Sequence, residues 1–383
     1  MSRVKRLTSA AALTGALGAS VLLAGPAPVA DAAPTLRFTT VVSGLDIPWD
    51  LTWVGQTMLY DQRGGGIWSK RGSAAPQRLS IPLPAPFVNS EGGMLGIVAD
   101  PGAATNRVFY TCQTVASTHD VQVWRWQLST DGTSAKRYGT KNPLVDDIPL
   151  KGGDNAGRHT GCRLRFSAKG MLYVGTGDSA VGTNPQSTSS LGGKVLRLHP
   201  DGRIPTTNPF YERGGDARYV WSIGHRNVQG LALRPGTGQM YNAEQGTDRD
   251  DEVNIVHKGA NYGYNPVPGY DESVPMTDTR KYPRAIKAVW SSGNPTKATS
   301  GITFLSGSSW GSWNGALTVG QLKATGIRLV FLDKTGHQTS TKMVPGTTGY
   351  GRIRTVQLGP DKALYFTTSN GSGSDKIVRV TAS

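Results

Sequence analysis

The stretch GMLYVGTGD, residues 170–178, opens on a turn glycine and runs directly into an aliphatic-aromatic pair that begins a strand. The same theme, each time with a tyrosine, returns in TMLYDQ (57–62), NRVFYTC (106–112), GQMYNAEQ (238–245) and KALYFTTS (362–369). A further copy without the aromatic residue, NGALTVGQ (314–321), fills the long gap between the last two. A returning turn-and-strand unit is typical of folds that are built from similar blades.

The rest of the chain fits this interpretation, because its 50 glycines and 23 prolines are spread evenly and turns therefore recur along the whole length. Short alternating stretches such as Leu36 to Val42 and Ile377 to Val380 outnumber windows with a helical apolar period. Six units give roughly 58 residues each, enough for four short strands and their loops. We predict an all-β fold, a six-bladed β-propeller with four-stranded blades, formed by residues 33–383 as one domain. A pair of β-sandwiches is the structural alternative.

The N-terminal 32 residues have the pattern of a secretory signal peptide. Arg3, Lys5 and Arg6 form a basic start, Ala10 to Leu23 are mostly apolar, and Ala30 to Ala32 offer a small-residue cleavage pattern. Glycines interrupt the apolar run, which argues against a membrane anchor, and no later run is long enough to span a bilayer. We therefore predict cleavage near Ala32, a secreted or periplasmic protein, and no membrane insertion.

Basic residues exceed acidic ones, 41 to 26, which gives a formal net charge of +15. Such a charge can attract nucleic acid or other polyanions, but here the basic residues are scattered and do not form blocks. We therefore predict no nucleic-acid partner.

Cys112 and Cys162 are the only cysteines in the sequence. Exported proteins usually pair such residues, and a bridge that closes a loop of about 50 residues stabilises by roughly 4 kcal/mol in the chain-entropy model. Two buried free thiols are the alternative. Neither arrangement makes a zinc site, which needs four closely arranged ligands.

One histidine stands out as a candidate base. His159 lies between glycines in AGRHTGCRLRF (156–166), just before an apolar strand, and the next strand ends in VGTGD with Asp178. An acid that follows one strand later can reach the histidine, fix its tautomer and raise its basicity. A satisfied structural histidine is the alternative for this pattern alone.

Cationic side chains come from three later parts of the chain. VWSIGHRNVQG (220–230) contains Arg226, a planar charge suited to a flat anion, beside Asn227, which can donate and accept. YGRIRTV (350–356) sets Arg352 and Arg354 two apart on one face of a strand, where they repel unless an anion lies between them. Lys323 precedes them by one predicted blade. Solvent-exposed positions are the alternative for each, but together the residues suit a small, multiply anionic cofactor.

A glycine turn rich in hard oxygen ligands, EQGTDRDDEVN (244–254), follows the Arg226 segment. Its composition is like that of a calcium loop, but it lacks the spacing of an EF-hand. Backbone carbonyls at Gly246 and Thr247 would therefore have to contribute. A solvated acidic turn is the alternative.

Taken in order, these segments make the chain similar to the soluble quinoprotein glucose dehydrogenases and the wider glucose/sorbosone (aldose sugar) dehydrogenase family, which use pyrroloquinoline quinone (PQQ). The likeness covers nearly the whole of residues 33–383. The segments that carry it are GLDIPWDLTWV (44–54), EGGMLGIVADP (91–101), GGKVLRLHPDGRIPTTNPF (192–210), GHRNVQGLAL (224–233), EQGTDRDDEVNIVHKGANYGYN (244–265) and the paired arginines that precede LGPDKALYF (358–366).

The resemblance implies roles for the residues that match. His159 corresponds to the base that takes the proton from the anomeric hydroxyl, Asp178 to the acid that orients it, and Arg226 to a cation near the reacting carbonyl of the quinone. The carbonyls of Gly246 and Thr247 correspond to ligands of a Ca²⁺ ion that polarises the quinone. The positions that correspond to contacts of PQQ are Arg226, Asn227, Lys323, Arg352 and Arg354.

The substrate positions implied by the resemblance are Glu91 and Trp290, and the sequence departs from the family pattern here. Glu91 stands where the glucose enzymes have a glutamine that touches the sugar, and Trp290 matches only loosely an aromatic residue over the substrate. Thr247 likewise replaces a proline in the calcium turn. The preferred sugar therefore stays open.

The resemblance implies an enzyme that oxidises the anomeric C1 hydroxyl of aldoses to lactones by hydride transfer to PQQ. The electrons would then pass to an external acceptor such as a dye, a quinone or a cytochrome. The loop after Asp178 is short, which favours a monomer or a weak homodimer. A calcium-dependent lactonase-type hydrolase and a non-catalytic ligand-binding propeller are the alternatives.

Overall fold

The computed structural model describes residues 33–383, and the predicted signal peptide, residues 1–32, lies outside these described residues. The described chain contains 25 strands, which pair into six antiparallel sheets. In chain order the strands are β1 (Leu36–Leu45), β2 (Leu51–Val54), β3 (Thr57–Asp61), β4 (Ile67–Arg71), β5 (Gln77–Arg78), β6 (Met94–Ala99), β7 (Val108–Val115), β8 (Asp120–Leu128), β9 (Ala135–Arg137), β10 (Val145–Pro149), β11 (Gly161–Phe166), β12 (Leu172–Thr176), β13 (Val195–Leu198), β14 (Val220–Ser222), β15 (Val228–Leu233), β16 (Met240–Glu244), β17 (Glu252–Ile255), β18 (Trp290–Ser291), β19 (Thr299–Phe304), β20 (Leu317–Gln321), β21 (Ile327–Leu332), β22 (Gln338–Met343), β23 (Ile353–Leu358), β24 (Leu364–Thr368) and β25 (Asp375–Ala382).

Helical structure is limited to a few turns. The described residues contain one short α-helix, Ala103–Asn106, and 3₁₀ turns at Tyr211–Arg213, Gly215–Tyr219, Ser308–Trp313 and Thr348–Tyr350. Over residues 33–383, no helix has both the length and the apolar character that a membrane crossing needs.

The six sheets form a closed ring. Their first strands touch in the cyclic order β2, β6, β11, β15, β19, β23 and back to β2. Five sheets have four strands in the order of a meander, and the second carries β9 as an additional strand paired with β8. A separate cluster of buried apolar side chains fills the space between each neighbouring pair of blades. This arrangement confirms the predicted six-bladed, four-stranded β-propeller.

The repeated sequence theme marks one structural position. Each copy lies in the second strand of its blade, namely β3, β7, β12, β16, β20 and β24. Tyr60, Tyr110 and Tyr241 are fully buried there. The theme recurs because every blade must pack its second strand against the next blade.

The ring is closed by pairing between the first and last strands of the described chain. β1 pairs antiparallel with β25, so that Leu36 lies opposite Ala382, and it completes the last blade with β23 and β24. The sixth blade is therefore built from both ends of the chain.

Covalent and polar links tie the third blade to the rest of the ring. Cys112 in β7 and Cys162 in β11 form a disulfide, which confirms the predicted pairing. Arg163 extends from β11 across the ring to Thr355 in β23 with 2.9 Å between Nη1 and Oγ1, and its Nη1 lies 2.8 Å from Asp50 Oδ2. Because β11 and β23 belong to opposite blades, Arg163 forms a polar floor across the central channel.

Candidate functional site

The candidate site residues gather at one rim of the propeller, because the strand order puts them there. His159, Arg226 and Arg352 lie just before or at the start of the first strands β11, β15 and β23. Asp178 and Gly246 follow the second strands β12 and β16. In an antiparallel sheet, the start of one strand and the end of the next lie at the same edge. The rim therefore collects residues from several blades above the Arg163 floor.

His159 and Asp178 form a buried pair that includes a third residue, Tyr270. His159 Nδ1 lies 2.9 Å from Asp178 Oδ1, and both side chains are almost inaccessible to solvent. The Tyr270 hydroxyl donates to Asp178 Oδ2 at 2.7 Å and lies 2.9 Å from His159 Nδ1. Burial and the facing Asp178 carboxylate raise the pKa of Tyr270, so the phenol stays protonated and can donate. These contacts engage Nδ1 and leave Nε2 as the ring nitrogen available to accept a proton.

Lys194 holds the loop that carries Asp178 through hydrogen bonds to its backbone. Lys194 is completely buried, and its Nζ donates to the carbonyl oxygens of Asn184 and Gly192, both at 2.5 Å. The Asn184 side chain in turn donates to the Asp178 carbonyl at 3.0 Å. Burial lowers the pKa of Lys194 to about 7, although the Asp178 charge acts in the opposite direction. Lys194 thus fixes the loop that positions the His159 partner.

Arg226 lies beside this pair and is itself held by an acidic residue. Its Nη1 donates to the Gln245 carbonyl at 3.0 Å and its Nη2 to Glu272 Oε1 at 2.5 Å. Burial alone lowers the pKa of Arg226, but the facing tyrosines, Asp178 and the bond to Glu272 raise it above its usual value. Within the described chain, the buried Arg226 Nε has no hydrogen-bond partner.

A polar network connects Asn227 to the centre of the ring. Asn227 Nδ2 and Gln229 Nε2 both donate to Glu91 Oε2, at 2.9 and 3.1 Å. Gln229 Oε1 accepts a hydrogen bond from Arg354 Nη1 at 3.2 Å. The structure therefore brings Glu91, Asn227 and Arg354 together through Gln229.

Arg354 is a buried, positively charged residue that lies close to other arginine side chains. Its guanidinium stacks on the Trp49 ring at 3.7 Å from the centroid, and its Nε has no partner among the described residues. Burial lowers the pKa of Arg354 to about 9; Glu91 raises it, while Arg163, Arg352 and Arg63 lower it further. The centre of the rim therefore holds a buried guanidinium that is incompletely hydrogen-bonded by the described residues.

Arg352 and Lys323 lie at the same rim but are exposed. β23 begins at Ile353, and its pairing with β24 shifts register between Ile353 and Thr355. Arg352 therefore differs from Arg354 in burial, although the two were predicted to share a strand face. Arg352 Nε donates to the Ser369 carbonyl at 3.1 Å, whereas Lys323 follows β20 and is exposed.

The acidic turn after β16 uses its carboxylates for its own structure. Asp251 is fully buried and accepts hydrogen bonds from the Gly246 amide (3.0 Å), the Thr296 hydroxyl (2.6 Å) and the Lys297 amide (2.6 Å). Glu252 is buried too, and burial together with Glu244 raises its pKa to about 8. In residues 33–383, no three His, Cys, Asp or Glu side chains cluster as a metal site. The Gly246 and Thr247 carbonyls accept no hydrogen bond from any described residue.

Trp290, a predicted substrate contact, lies inside the fourth blade. It belongs to β18, pairs with Val253 and packs in the apolar cluster between the fourth and fifth blades. These contacts give it a core role, and we do not retain it as a substrate contact. His225 is completely buried between Glu244 and Ser222, each 2.9 Å from a ring nitrogen, and these contacts hold its loop.

A cleft of about 620 Å³ opens onto the site. It is lined by Arg158, Arg226, Thr247, Asp248, Arg249, Glu272 and Ser273. Glu272 joins two of the arginines, because its Oε2 lies 2.6 Å from Arg158 Nη2 while Oε1 bonds Arg226. A cleft of this size is large enough for a small-molecule ligand.

Comparison with known proteins agrees with the resemblance found in the sequence. The family model for Glucose / Sorbosone dehydrogenase matches residues 45–379. The chain belongs to this family. The chain is 30% identical to the aldose sugar dehydrogenase YliI of Escherichia coli (strain K12) over 358 residues, which cover 89% of this chain and 92% of that protein. It is 26% identical to quinoprotein glucose dehydrogenase B of Acinetobacter calcoaceticus, with 70% of this chain and 61% of that protein covered.

Solved structures give the same result. The PQQ-bound form of an aldose sugar dehydrogenase from Streptomyces coelicolor matches this dehydrogenase with a TM-score of 0.73 and 28% identity, covering 92% of this chain and 100% of that one. A putative glucose dehydrogenase from Thermus thermophilus matches with a TM-score of 0.76 and 31% identity, covering 90% and 100%. Family membership places the chain among sugar oxidoreductases.

Sequence reasoning missed several residues of the site, among them Arg158, Lys194, Tyr270, Glu272, Arg163 and Gln229. Tyr270 and Glu272 lie in the long irregular segment between β17 and β18, where no periodicity points to a position. Arg163 and Gln229 lie in the strands β11 and β15, and only the ring turns their side chains toward the centre. One signal in the sequence could have indicated Arg163 and Gln229 as site residues. Each is a polar residue in the otherwise apolar first strand of a blade.

Proposed function

We propose that this protein oxidises the anomeric C1 hydroxyl of aldose sugars to lactones, with PQQ and Ca²⁺ as cofactors and His159 as the general base. The proposal also includes export to the periplasm or medium, an external electron acceptor (dye, quinone or cytochrome), and a monomer or weak homodimer. Family membership supports the reaction class. The contacts of the rim residues support the assignment of roles.

His159 is suited to accept a proton because its other ring nitrogen is already committed. With a proton on Nδ1 held by Asp178, Nε2 carries the lone pair that can receive the proton of the sugar hydroxyl. As that proton leaves, the C1 hydrogen departs as a hydride, C1 and its oxygen form a double bond, and the lactone results. Asp178 then stabilises the imidazolium, and Tyr270 holds Asp178 in place. When bound, PQQ supplies the two-electron acceptor for the hydride.

The observation that carries the cofactor assignment is a set of buried guanidinium nitrogens at the rim that lack hydrogen-bond partners. Arg354, Arg163 and Arg226 each have one such nitrogen among the described residues, although the charges of Glu91, Asp50 and Glu272 oppose theirs. Buried donors without acceptors are costly, and an anionic ligand with several acceptor oxygens would complete them. PQQ carries several carboxylates and fits this requirement, and a lactonase-type hydrolase has no use for it. We assign its binding to Arg226, Asn227, Lys323, Arg352 and Arg354.

The turn that contains Gly246 and Thr247 also fits a calcium ion, provided that the cofactor supplies some of the ligands. The Gly246 and Thr247 carbonyls are without hydrogen-bond donors among the described residues, and oxygen ligands are the kind that Ca²⁺ prefers. The neighbouring carboxylates are engaged within the turn, so these two carbonyls would hold the ion together with oxygen atoms of the cofactor and water. Glu91 remains our proposed substrate contact.

The test is a dye-reduction assay of purified apoprotein with a panel of aldoses, with and without PQQ and Ca²⁺. We expect activity that requires both additions. His159→Ala should keep PQQ binding near the wild-type value and lower turnover by ~10²–10⁴-fold. His257→Ala, a change at an exposed histidine, is the matched control and should leave turnover unchanged. Unchanged turnover in His159→Ala would remove the base assignment, and absence of both activity and PQQ binding would refute the function.

A further inference from the structure

Glu272 places a carboxylate between two guanidinium groups at the mouth of the site. Oε1 bonds Arg226 Nη2 and Oε2 bonds Arg158 Nη2, at 2.5 and 2.6 Å. One carboxylate that bridges two arginines shows that this pair is complementary to a carboxylate in both spacing and charge. We call Arg158 and Arg226 the arginine pair.

The arginine pair lies beside the atoms that would react. Arg158 directly precedes His159, and its guanidinium lies 5.7 Å from the centre of the Tyr270 ring. Tyr270 in turn contacts both His159 and Asp178. Any anion held by the pair is therefore next to the proposed base, within the cleft of about 620 Å³.

Glu272 is less firmly anchored than the residues it contacts. About a third of its side chain is exposed, whereas that of Arg226 is nearly buried. It lies in the irregular segment between β17 and β18, and its only hydrogen bonds among the described residues go to the arginine pair. Although partial burial acts against ionisation, the bonds to Arg158 and Arg226 lower the pKa of Glu272, so it is a carboxylate at neutral pH.

We propose that the arginine pair is a binding site for a carboxylate or similar oxyanion of a ligand, and that Glu272 occupies it until such a ligand displaces it. This inference rests on the proposed function, because that function supplies the anionic ligand. Two sources share this chemistry: an acidic group of PQQ itself, and the carboxylate of an acidic aldose such as a hexuronic acid. In either case Glu272 competes with the ligand within the molecule.

The competition predicts that removing the Glu272 charge strengthens binding. Glu272→Gln keeps the shape of the side chain, but its amide nitrogen cannot accept a hydrogen bond, so at most one of the two bonds remains, and that one is to a neutral oxygen. The matched control is Asp271→Asn, because Asp271 is the adjacent carboxylate of the same segment and, among the described residues, its carboxylate accepts hydrogen bonds only from Ser273. Both changes remove one negative charge from the loop, but only Glu272→Gln frees the arginine pair.

The experiment measures equilibrium binding to the apoprotein, which does not depend on turnover. PQQ is titrated by absorbance and fluorescence quenching, and glucuronate and glucose are titrated by calorimetry, for the wild type and both variants. We expect Glu272→Gln to bind one anionic ligand about tenfold more tightly, with Asp271→Asn within about twofold of wild type and glucose unaffected.

The ligand whose affinity rises identifies the source of the anion. A gain for PQQ assigns the arginine pair to the cofactor, and a gain for glucuronate alone assigns it to an acidic substrate. Equal or weaker binding of both ligands by Glu272→Gln overturns the inference, because Glu272 would then position the arginines instead of competing. If no variant, including the wild type, binds PQQ, it is the proposed function that fails.

Discussion

Replacing Arg354 with methionine should stabilise the protein without its cofactor while weakening cofactor binding. The fall in the pKa of Arg354 from 12.5 to about 9 corresponds to a cost of ~5 kcal/mol for keeping this charge buried. Methionine gives up the stacking on Trp49, about 1–2 kcal/mol, and the single hydrogen bond to Gln229, about 1–2 kcal/mol. The apoprotein should therefore gain about 1–3 kcal/mol in free energy of unfolding.

The same change removes a cation that we assign to a cofactor carboxylate. Losing one charge-assisted hydrogen bond weakens binding by about 10- to 100-fold. Urea unfolding of the apoprotein at pH 7, followed by tryptophan fluorescence, measures the first effect, and titration with PQQ measures the second. Arg352→Met is the control for stability, because Arg352 is exposed and should change the apoprotein little. A less stable Arg354→Met apoprotein, or one with undiminished affinity for PQQ, would refute the reasoning.

Three further predictions concern other parts of the molecule. Tyr270→Phe removes the hydroxyl that donates to Asp178, and it should lower turnover by about 3- to 30-fold while PQQ affinity is retained. Steady-state rates measured at equal cofactor occupancy check this prediction. Full activity of the variant would show that Tyr270 does not position the base. Glu252→Gln should match the wild type in free energy of unfolding near pH 5 and exceed it by a growing margin up to about pH 8. The reason is that Glu252 keeps its proton in the folded wild type, whereas the unfolded chain releases this proton above about pH 4.5. Unfolding curves at several pH values test this, and a difference in stability that does not change with pH would contradict it. The double change Cys112→Ala and Cys162→Ala should lower the free energy of unfolding by about 2–4 kcal/mol without altering PQQ affinity. Urea unfolding without reductant measures the change in stability. An unchanged unfolding midpoint would show that the disulfide does not contribute to stability.

The parts of the fold that repeat could be predicted from the sequence. The aliphatic-aromatic theme recurs because each second strand, from β3 to β24, meets the same packing requirement between two blades. His159 and Asp178 could be paired for a similar reason, since one precedes the first strand of a blade and the other follows the second. Local strand order is enough to bring such residues together.

The parts that depend on tertiary closure could not be predicted. Tyr270 and Glu272 reach the site through an irregular segment whose path no local pattern determines. Arg352 is exposed just before β23 and Arg354 is buried within it, and strand alternation alone does not reveal where a strand begins. The sequence predicts Trp290 as a substrate contact, but a large apolar ring in a short strand packs equally well in a core, and Trp290 lies in one.

The pairing of β1 with β25 has a consequence for how the protein is made. A ribosome produces Leu36 long before Ala382, yet the two lie opposite each other in the finished sixth blade. Because the entropy of closing a loop grows slowly with its length, this separation costs little in final stability, but contacts so distant in sequence slow folding. A nascent chain can thus complete five blades and still remain an open arc. The ring closes only after β25 has been made, and loss of β25 would leave an unpaired strand edge at both sides of the gap.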